Sequence, residues 1–210
     1  MIVKSDIAHP DEKVYVVDDD PSARDSLCWL LNTEGIDSRA FASADSFLDA
    51  WSRAWVGCIT VDIRMPGKNG LQLQEELNSR SNLLPVIVLT GHADVPIAIR
   101  AMKLGAFDFL EKPYSDGDLL TSIDNALKLG EKINQAEQER SRLSSAVETL
   151  TSREREVMYL VVEGNTNKIV ANRLGISDKT VEVHRSRVME KTSAKSLSDL
   201  VRICLVLGSR

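Results

Sequence analysis

This sequence has few cysteines, few histidines and no long hydrophobic run, and each shortage argues against a class of protein. Its three cysteines, Cys28, Cys58 and Cys204, are odd in number and lie far apart in apolar surroundings, which predicts reduced, buried thiols. The three histidines are equally scattered, so a zinc site is not expected. No apolar run approaches the roughly 18 residues that span a bilayer, and the start MIVKSDIAHPDEK does not resemble a signal peptide. The sequence therefore predicts a cytoplasmic protein with no membrane partner.

The charge of the chain is divided unevenly along its 210 residues, a length that favours two domains. Residues 1 to 130 carry 20 acidic and 12 basic side chains, which is a net charge of −8. Residues 147 to 210 carry 8 acidic and 11 basic side chains, which is a net charge of +3. The first part would repel nucleic acid, whereas the last part would attract it.

Short apolar runs alternate with amphipathic segments through the first part of the chain. The runs predict five strands at Val14 to Val17, Ser38 to Phe41, Cys58 to Val61, Val86 to Leu89 and Ala106 to Leu110. The segments predict helices at Ser22 to Thr33, Ala44 to Trp51, Leu71 to Asn78, Val95 to Leu104 and from about Ser115. This alternation indicates an α/β fold with a doubly wound, five-stranded parallel sheet.

Polar side chains stand at the ends of four predicted strands. Asp18 and Asp19 follow the first strand, Asp62 ends the third, and the fourth and fifth strands are followed by Thr90 and Lys112. Because ligands bind outside the carboxyl ends of such strands, we expect these side chains to lie close together. Clustered carboxylates repel each other unless a cation neutralises them, and oxygen atoms are the ligands that Mg²⁺ prefers. The pattern therefore predicts a magnesium site.

The same cluster can perform phosphoryl chemistry. An aspartate at a strand end is a competent nucleophile toward phosphorus, and phosphoryl transfer needs little beyond positioning and charge stabilisation. We expect Asp62 to accept the phosphoryl group, Lys112 to pair with one of its oxygens, and Thr90 to donate a hydrogen bond to another.

Four motifs in this order, VVDDDPSARDSL, VDIRMPGKNG, VIVLTGHAD and GAFDFLEKPY, resemble the receiver domain of two-component response regulators. The resemblance implies a flavodoxin-like receiver fold with Asp62 as phosphoacceptor and with Thr90 and Phe109 as a switch pair. It also implies a cis peptide bond between Lys112 and Pro113. The implied ligands of Mg²⁺ (or Mn²⁺) are Asp19, Asp62 and the backbone carbonyl of Arg64 directly, and Asp18 through water.

Local signals refine this picture around the first and third strands. Asp20 is expected to cap the helix that Pro21 begins, because aspartate before proline suits a helix N-terminus. Gly67 and Gly70 enclose the loop after Asp62 and are expected to permit positive φ in a tight turn.

A polar, helical segment without proline connects the two parts of the chain. The residues spaced alternately three and four positions apart in this segment are apolar except for Arg140. A short coiled coil and a solvated helical linker are therefore both possible interpretations. Gly130 weakens the prediction of a continuous helix. The residues at this spacing are Ala126, Leu129, Ile133, Ala136, Arg140, Leu143, Val147 and Leu150.

The last 60 or so residues predict an all-α domain of four helices. Thr151 and Glu154 form a capping box, Gly175 ends a short helix that starts at Asn167, and Ser177 caps a longer helix from Asp178 to Lys191. A last helix is predicted from Ser196 to Leu207. Two helices joined by a tight glycine turn are typical of a helix-turn-helix.

The sequence from Leu150 to Val201 resembles the LuxR-type helix-turn-helix, and the whole chain resembles FixJ-type response regulators. On the longer helix, side chains on one face are expected to point toward DNA bases, and other basic and polar side chains toward phosphates. Glu182 stands where the family often has lysine. The expected DNA-contacting residues are Thr166, Asn167, Lys168, Lys179, Val183, His184, Arg185, Ser186, Arg187 and Lys191.

The leading interpretation is a response regulator that a sensor histidine kinase phosphorylates on Asp62. Phosphorylation would promote homodimerisation through the helix from Val95 to Leu104 and the fifth strand. It would also promote binding to double-stranded DNA. RNA polymerase is a candidate partner. The chain would not be an enzyme, except that it would catalyse its own phosphorylation and dephosphorylation. The expected domains are a receiver at 1–125, a helical linker at 126–147 and a helix-turn-helix domain at 148–210.

Three alternatives remain open from the sequence. A phosphorylation-independent regulator is disfavoured because the full set of expected phosphorylation residues is present. A phosphohydrolase with Asp62 as nucleophile would want a general acid two residues later, where this chain has Arg64, and it leaves the C-terminal part without a role. A flavodoxin-like FMN binder is disfavoured because acidic residues fill the loop that would hold the phosphate.

Overall fold

The computed structural model describes residues 12–91 and 95–208, which fall into two compact units, Met1–Asn134 and Gln135–Arg210. The first unit contains a five-stranded parallel sheet with the order β2-β1-β3-β4-β5. Its strands are β1 (Glu12–Val17), β2 (Ser38–Phe41), β3 (Val56–Asp62), β4 (Val86–Thr90) and β5 (Asp108–Glu111). The helices that connect and follow them are α1 (Pro21–Thr33), α2 (Ala44–Ala50), α3 (Gly70–Ser79), α4 (Val95–Lys103) and α5 (Asp116–Glu148).

Alternate residues of the central strands supply two separate hydrophobic clusters. In β1, Tyr15 and Val17 belong to one cluster, whereas Val14 and Val16 belong to the other. Successive side chains of a strand point to opposite faces, so both faces of this sheet are covered, as a parallel sheet requires. The predicted doubly wound α/β fold is confirmed.

Helix α1 begins as its sequence predicts. The side chain of Asp20 accepts a hydrogen bond from the backbone N–H of Ser22 at 2.9 Å, and Pro21 is the first helical residue. This cap fixes the point at which the chain leaves β1, immediately after Asp18 and Asp19. The third member of the acidic triplet therefore ends the loop rather than joining a carboxylate cluster.

Helix α5 continues through Gly130, the residue that weakened the prediction of a continuous helix. A Cβ atom at Gly130 would lie 2.6 Å from the backbone carbonyl oxygen of Gly57, so the absence of a side chain lets the helix pass close to β3. Gly57 has a φ of 127°, which a residue with a side chain rarely adopts. Glycine at position 130 is therefore a packing requirement and not a helix breaker.

Replacing Gly130 by alanine should lower the free energy of unfolding of the first unit by about 1–3 kcal/mol, because the new Cβ would meet backbone. The same change at Gly117, near the start of α5, should stabilise by up to about 1 kcal/mol, since the nearest atom to its Cβ would be 3.9 Å away. Denaturant unfolding followed by tryptophan fluorescence measures both effects, because Trp29, Trp51 and Trp55 all belong to this unit. Midpoint shifts in the same direction for both variants would contradict the packing explanation.

The second unit is built from the last turns of α5 and four further helices. These helices are α6 (Ser152–Val162), α7 (Asn167–Leu174), α8 (Asp178–Thr192) and α9 (Leu197–Leu207). The predicted capping box of Thr151 and Glu154 is present, and Gly175 ends α7 with a left-handed φ of 64°. Ser177 caps α8, so the predicted helix-turn-helix is formed.

The apolar positions along α5 are shared between the two cores. Ala126 is buried within the first unit, whereas Leu143, Val147 and Leu150 are buried in a cluster of the second unit. These last three residues are therefore covered by the chain's own helices and do not offer a free seam to a partner helix. The compact second unit begins at Gln135 and so includes part of the predicted linker.

The cysteines and the membrane prediction can be compared directly with the described residues. Cys58 and Cys204 are buried free thiols, but Cys28 is only partly buried, so the prediction of three buried thiols was wrong for Cys28. Cys28 packs at the edge of the cluster that buries Leu27 and Leu31, next to Trp29, which is 69% exposed. His9 and His92 lie outside the described residues. No helix in the described part of the chain is long and apolar enough to cross a membrane.

Candidate phosphorylation site and DNA-binding surface

The carboxyl ends of β1, β3, β4 and β5 bring four predicted residues to one edge of the sheet. The Nζ atom of Lys112 donates hydrogen bonds to Asp18 Oδ2 at 2.8 Å and to Asp62 Oδ1 at 2.9 Å. Asp18, Asp62 and Thr90 are 6%, 8% and 1% exposed. These residues are far apart in the sequence, and strand order alone places them together. The predicted peptide bond between Lys112 and Pro113 is cis.

The remaining oxygens of the two buried carboxylates are also engaged. Asp62 Oδ2 accepts a hydrogen bond from the backbone N–H of Arg64 at 2.6 Å, and Asp18 Oδ1 accepts one from the backbone N–H of Asp20 at 2.9 Å. Each carboxylate is therefore held in one orientation by one backbone donor and one ammonium group. The Arg64 side chain itself is exposed.

The Lys112 ammonium remains charged at neutral pH. Burial alone would lower the pKa of Lys112, but the hydrogen bonds and charges of Asp18 and Asp62 outweigh burial and raise it to about 12. The site thus contains one fixed positive charge between two buried carboxylates. This arrangement leaves an excess of negative charge that a further cation could neutralise.

The three predicted metal-binding carboxylates do not form a ready-made cluster. Among residues 12–91 and 95–208, no group of three histidine, cysteine, aspartate or glutamate side chains could hold a metal ion. Asp18 and Asp62 both bind the Lys112 ammonium, and Asp19 is partly buried. The donor chemistry still suits Mg²⁺, because that ion keeps several waters and needs only one or two carboxylates. Metal binding at Asp18, Asp19, Asp62 and Arg64 stays a prediction.

The predicted switch residues lie on neighbouring strands. Thr90 is buried at the last position of β4, and not after the strand as expected. Phe109 lies in the adjoining β5, where it pairs with Val88 of β4. Its ring is partly buried against the hydrophobic cluster that contains Tyr15 and Val17. Their switch role is untested by this geometry.

The loop after β3 depends on its two glycines for different reasons. Gly67 has a φ of 75°, as expected for a tight turn. Gly70 does not have a positive φ. Glycine is needed there for a different reason, because a Cβ atom would collide with the backbone oxygen of Asp62. The expectation for Gly70 is therefore corrected: close approach to the site requires glycine. The side chain of Asn69 caps α3 at this point.

Two residues near the site were not found from the sequence. Arg24 Nη1 donates to the backbone oxygen of Asp18 at 2.7 Å and more weakly to that of Asp19 at 3.4 Å, which fixes the acidic loop. Tyr114 is half-buried near Lys112, and burial raises the pKa of its phenol. The available signals were the position of Arg24 six residues after Asp18 and that of Tyr114 directly after the Lys-Pro pair.

The surface of α8 separates as helical geometry predicts. Val181 and Val188 are 0% and 1% exposed and belong to the core, and Met189 packs beside them. The outward residues form one exposed face beside the glycine turn, which is polar except for Val183. The exposed residues on this face are Lys179, Glu182, Val183, Ser186 and Arg187.

Three of the other predicted DNA-contacting residues have particular surroundings. Arg185 Nη1 donates to Asn167 Oδ1 at 2.7 Å, which links α8 to the start of α7. His184 has a buried Nδ1 atom with no hydrogen-bond partner in the described chain. Lys191 Nζ donates to Glu154 Oε2 at 2.7 Å and to the backbone oxygen of Thr149 at 3.2 Å.

Glu154 is a buried charge of the second unit and is 2% exposed. The hydrogen bond from Lys191, followed by the backbone N–H of Thr151, lowers the pKa of Glu154 from 4.5 to about 2. Because the folded pKa is the lower one, these interactions stabilise the unit above about pH 4.5, and their contribution is lost as the pH falls toward 2. Sequence reasoning found the cap but missed the ion pair, since Lys191 is 37 residues away.

A parallel sheet that gathers aspartates, a threonine and a lysine at its carboxyl edge, followed by a helix-turn-helix unit, defines the class of two-component response regulators. Family models agree: the response regulator receiver domain matches residues 14–124, and the bacterial regulatory proteins of the luxR family match residues 148–204. The chain belongs to the response regulators that join these two domains.

Relatives are similar along nearly the whole chain. The transcriptional regulatory protein FixJ of Azorhizobium caulinodans is 46% identical over 93% of this chain and 92% of its own length. The C4-dicarboxylate transport transcriptional regulatory protein DctR of Rhodobacter capsulatus is 44% identical over 90% and 98%. The solved structure of the response regulator StyR superposes with a TM-score of 0.83 at 39% identity, over 93% of this chain and 98% of that one. The protein is accordingly a transcriptional response regulator.

Membership of this family carries general properties. A receiver domain implies a sensor kinase as partner and generally binds Mg²⁺ at its phosphorylation site, and a luxR-family domain implies DNA binding. Proteins of this family regulate transcription and are generally not enzymes.

Proposed function

We propose that Asp62 accepts a phosphoryl group from a sensor histidine kinase. The observation that supports this most strongly is the Lys112 ammonium, which lies 2.9 Å from one carboxylate oxygen of Asp62 at the end of β3. An Asp62 oxygen would attack phosphorus while the bond between phosphorus and the donor nitrogen breaks, which leaves an acyl phosphate on the protein. Lys112 would then neutralise one phosphoryl oxygen, and the Thr90 hydroxyl would donate to another.

The acidic loop and the neighbouring backbone would hold the divalent cation. Asp19, Asp62 and the carbonyl of Arg64 would bind Mg²⁺ or Mn²⁺ directly, and Asp18 would bind through water. The cation would offset the charge of the phosphoryl group, whereas Arg24 keeps the loop in place through the backbone oxygens of Asp18 and Asp19. In this proposal the chain catalyses only its own phosphorylation and dephosphorylation.

Phosphorylation would favour a homodimer through the face of α4 and β5. Val95, Ile99 and Met102 are 72%, 49% and 50% exposed on α4, with a spacing that places them on one side of the helix. An exposed apolar stripe of this kind suits contact with a second copy. Movement of Thr90 and Phe109 after phosphorylation would change the adjoining strands and so bias this contact.

The second unit would bind double-stranded DNA with α8 in the major groove. Side chains of its exposed face would read bases, and basic or polar groups nearby would contact phosphates. RNA polymerase is a further partner in this proposal. The proposed location is the cytoplasm, where the protein would encounter both the kinase and DNA. The proposed division is a receiver at 1–125, a linker at 126–147 and a DNA-binding domain at 148–210. The proposed contacts are Thr166, Asn167, Lys168, Lys179, Val183, His184, Arg185, Ser186 and Arg187.

Incubation with a small phosphodonor tests this proposal. With Mg²⁺ present, we expect the intact mass to rise by one phosphoryl group, the sedimentation coefficient to move toward a dimer, and DNA binding to tighten. Chelation of the metal by EDTA should prevent all three changes. DNA binding that is equally tight without phosphorylation, under conditions where the mass does rise, would favour the phosphorylation-independent regulator instead.

A further inference from the structure

Lys191 differs from the other basic residues of α8 because its ammonium forms an ion pair with a buried carboxylate, whereas Arg185 is bound to the neutral side chain of Asn167. Its Nζ atom is 2.7 Å from Glu154 Oε2 and 3.2 Å from the backbone oxygen of Thr149. By contrast, the side chains of Lys179 and Arg187 are exposed and make no hydrogen bond or ion pair in the described part of the chain. These two side chains are therefore available to a DNA phosphate or base without breaking a contact.

Breaking the ion pair between Lys191 and Glu154 would be energetically costly. Glu154 is 2% exposed, and the Oε2 atom that binds Lys191 also accepts the backbone N–H of Thr151 at 2.9 Å. Removing the ammonium would leave a buried carboxylate without a counter-charge, which is strongly unfavourable. A contact between Lys191 and a DNA phosphate would therefore have to offset the loss of this ion pair.

The contact lies where it can set the position of the recognition helix. Lys191 is in the last turn of α8, and Glu154 and Thr151 are at the start of α6. Val188, one turn earlier in α8, and Thr192, the last residue of the helix, are buried, so the end of α8 is held by packing as well as by the ion pair. The orientation of α8 in a groove depends on this end as well as on the glycine turn at its beginning.

We propose that Lys191 is a positioning residue, which fixes the end of α8 through Glu154 and does not bind a DNA phosphate. The inference rests on the proposed role of α8 in DNA binding. It replaces the expectation that Lys191 contributes to the phosphate-binding group. Affinity for DNA would depend on Lys191 only through the alignment of the side chains that precede it on α8.

Salt dependence distinguishes a positioning residue from a phosphate contact. The full chain would be measured on a duplex that wild-type protein selects from a randomised pool, over a range of salt concentrations. A lost phosphate contact lowers the slope of log Kd against log salt by about 1, whereas a lost positioning contact leaves it unchanged. We expect Lys191→Met to weaken binding about 5- to 30-fold, a change of about 1–2 kcal/mol, with an unchanged slope.

A double-mutant cycle with Glu154→Gln provides the second readout. Glutamine keeps an acceptor for the Thr151 N–H but removes the buried charge, so the double variant leaves no carboxylate without a partner. In this background Lys191→Met should cost less than about twofold in affinity, because the two residues act as a unit. Hydrogen exchange in α6 checks folding, and Lys191→Arg, which keeps the charge, should retain most of the affinity if Lys191→Met fails to fold.

Two results would overturn the inference. A slope lowered by about 1 in Lys191→Met, together with the same affinity loss in both backgrounds, would make Lys191 a phosphate contact. Lys179→Ala and Arg187→Ala serve as matched exposed controls and should each weaken binding and lower the slope. If neither control changes affinity or slope, α8 does not face DNA, and the proposed function fails together with the inference.

Discussion

Replacing Asp62 by asparagine should abolish phosphoryl transfer to the protein, which is the expected result if Asp62 is the acceptor. The amide has nearly the same size as the carboxylate, and its oxygen can still accept a hydrogen bond from Lys112, so the fold is retained. The amide is not a nucleophile toward phosphorus, however, and no acyl phosphate can form. After incubation with a phosphodonor and Mg²⁺, the intact mass of Asp62→Asn should show only background incorporation.

Asp49→Asn is the matched control for this experiment, because Asp49 is an exposed aspartate of α2 that is not among the proposed site residues. This variant should incorporate phosphate as the wild type does. Full incorporation in Asp62→Asn would show that another residue accepts the phosphoryl group. Comparison of the two variants thus separates the site assignment from any general effect of removing one carboxylate.

Replacing Lys112 by methionine should impair both phosphoryl transfer and stability. Asp18 and Asp62 would lose the ammonium that lies between them, at 2.8 and 2.9 Å. We expect the free energy of unfolding of the first unit to fall by about 2–4 kcal/mol at pH 7, since two buried carboxylates would lack a counter-charge. Phosphoryl transfer should slow by about 100-fold or more, because preorganised charge stabilisation is lost. Tryptophan fluorescence and intact mass measure the two effects.

The exposed ion pair of Lys128 and Asp124 provides the control for this prediction. The two residues are one helical turn apart on α5, and the Lys128 side chain is 55% exposed. Lys128→Met should therefore change stability by no more than about 0.5 kcal/mol. Added Mg²⁺ should restore part of the stability lost in Lys112→Met if the carboxylates bind the ion, because a ligand of the folded state stabilises it. Equal stability of the two lysine variants would contradict the role given to Lys112.

The pH dependence of this effect follows from the direction of the pKa shift. The pKa of Lys112 is raised from 10.5 to about 12, so its contribution to stability is complete below about pH 10.5 and is lost as the pH rises through 12. The difference between wild type and Lys112→Met should therefore be constant at neutral pH. It should shrink as the pH rises through 12.

The strands and the site were largely predictable from the sequence because their signals are local. Alternation of apolar runs and amphipathic segments locates the strands to within about two residues, and a polar residue at a strand end can be read directly. Asp20, Thr151 and Gly175 were also predictable, since caps depend on neighbours within one helical turn. Fold class and family follow from these local signals taken in order.

Other features depend on contacts between distant residues and left no readable signal. Gly130 was interpreted as a weakness of α5, yet its packing on Gly57 involves a residue 73 positions earlier. Lys191 resembles any other basic residue of α8 until Glu154 is placed beside it. Asp18, Asp62 and Lys112 were expected to lie close together, but the direct ion pairs that Lys112 forms with both carboxylates were not predicted. Sequence periodicity describes an element but not its neighbours.

The division of α5 between two cores sets a rule for how such a chain can be cut or recombined. A C-terminal fragment that begins at residue 148 would lack Leu143 and Val147, and it would expose the apolar surface that they cover. A chimera that exchanges DNA-binding units between related proteins would keep both cores whole only if its junction falls after Ile133 and before Leu143. Within that interval the helix supplies no buried side chain to either core. Exchange of one unit for a related one at this point would therefore leave the packing of both cores unchanged.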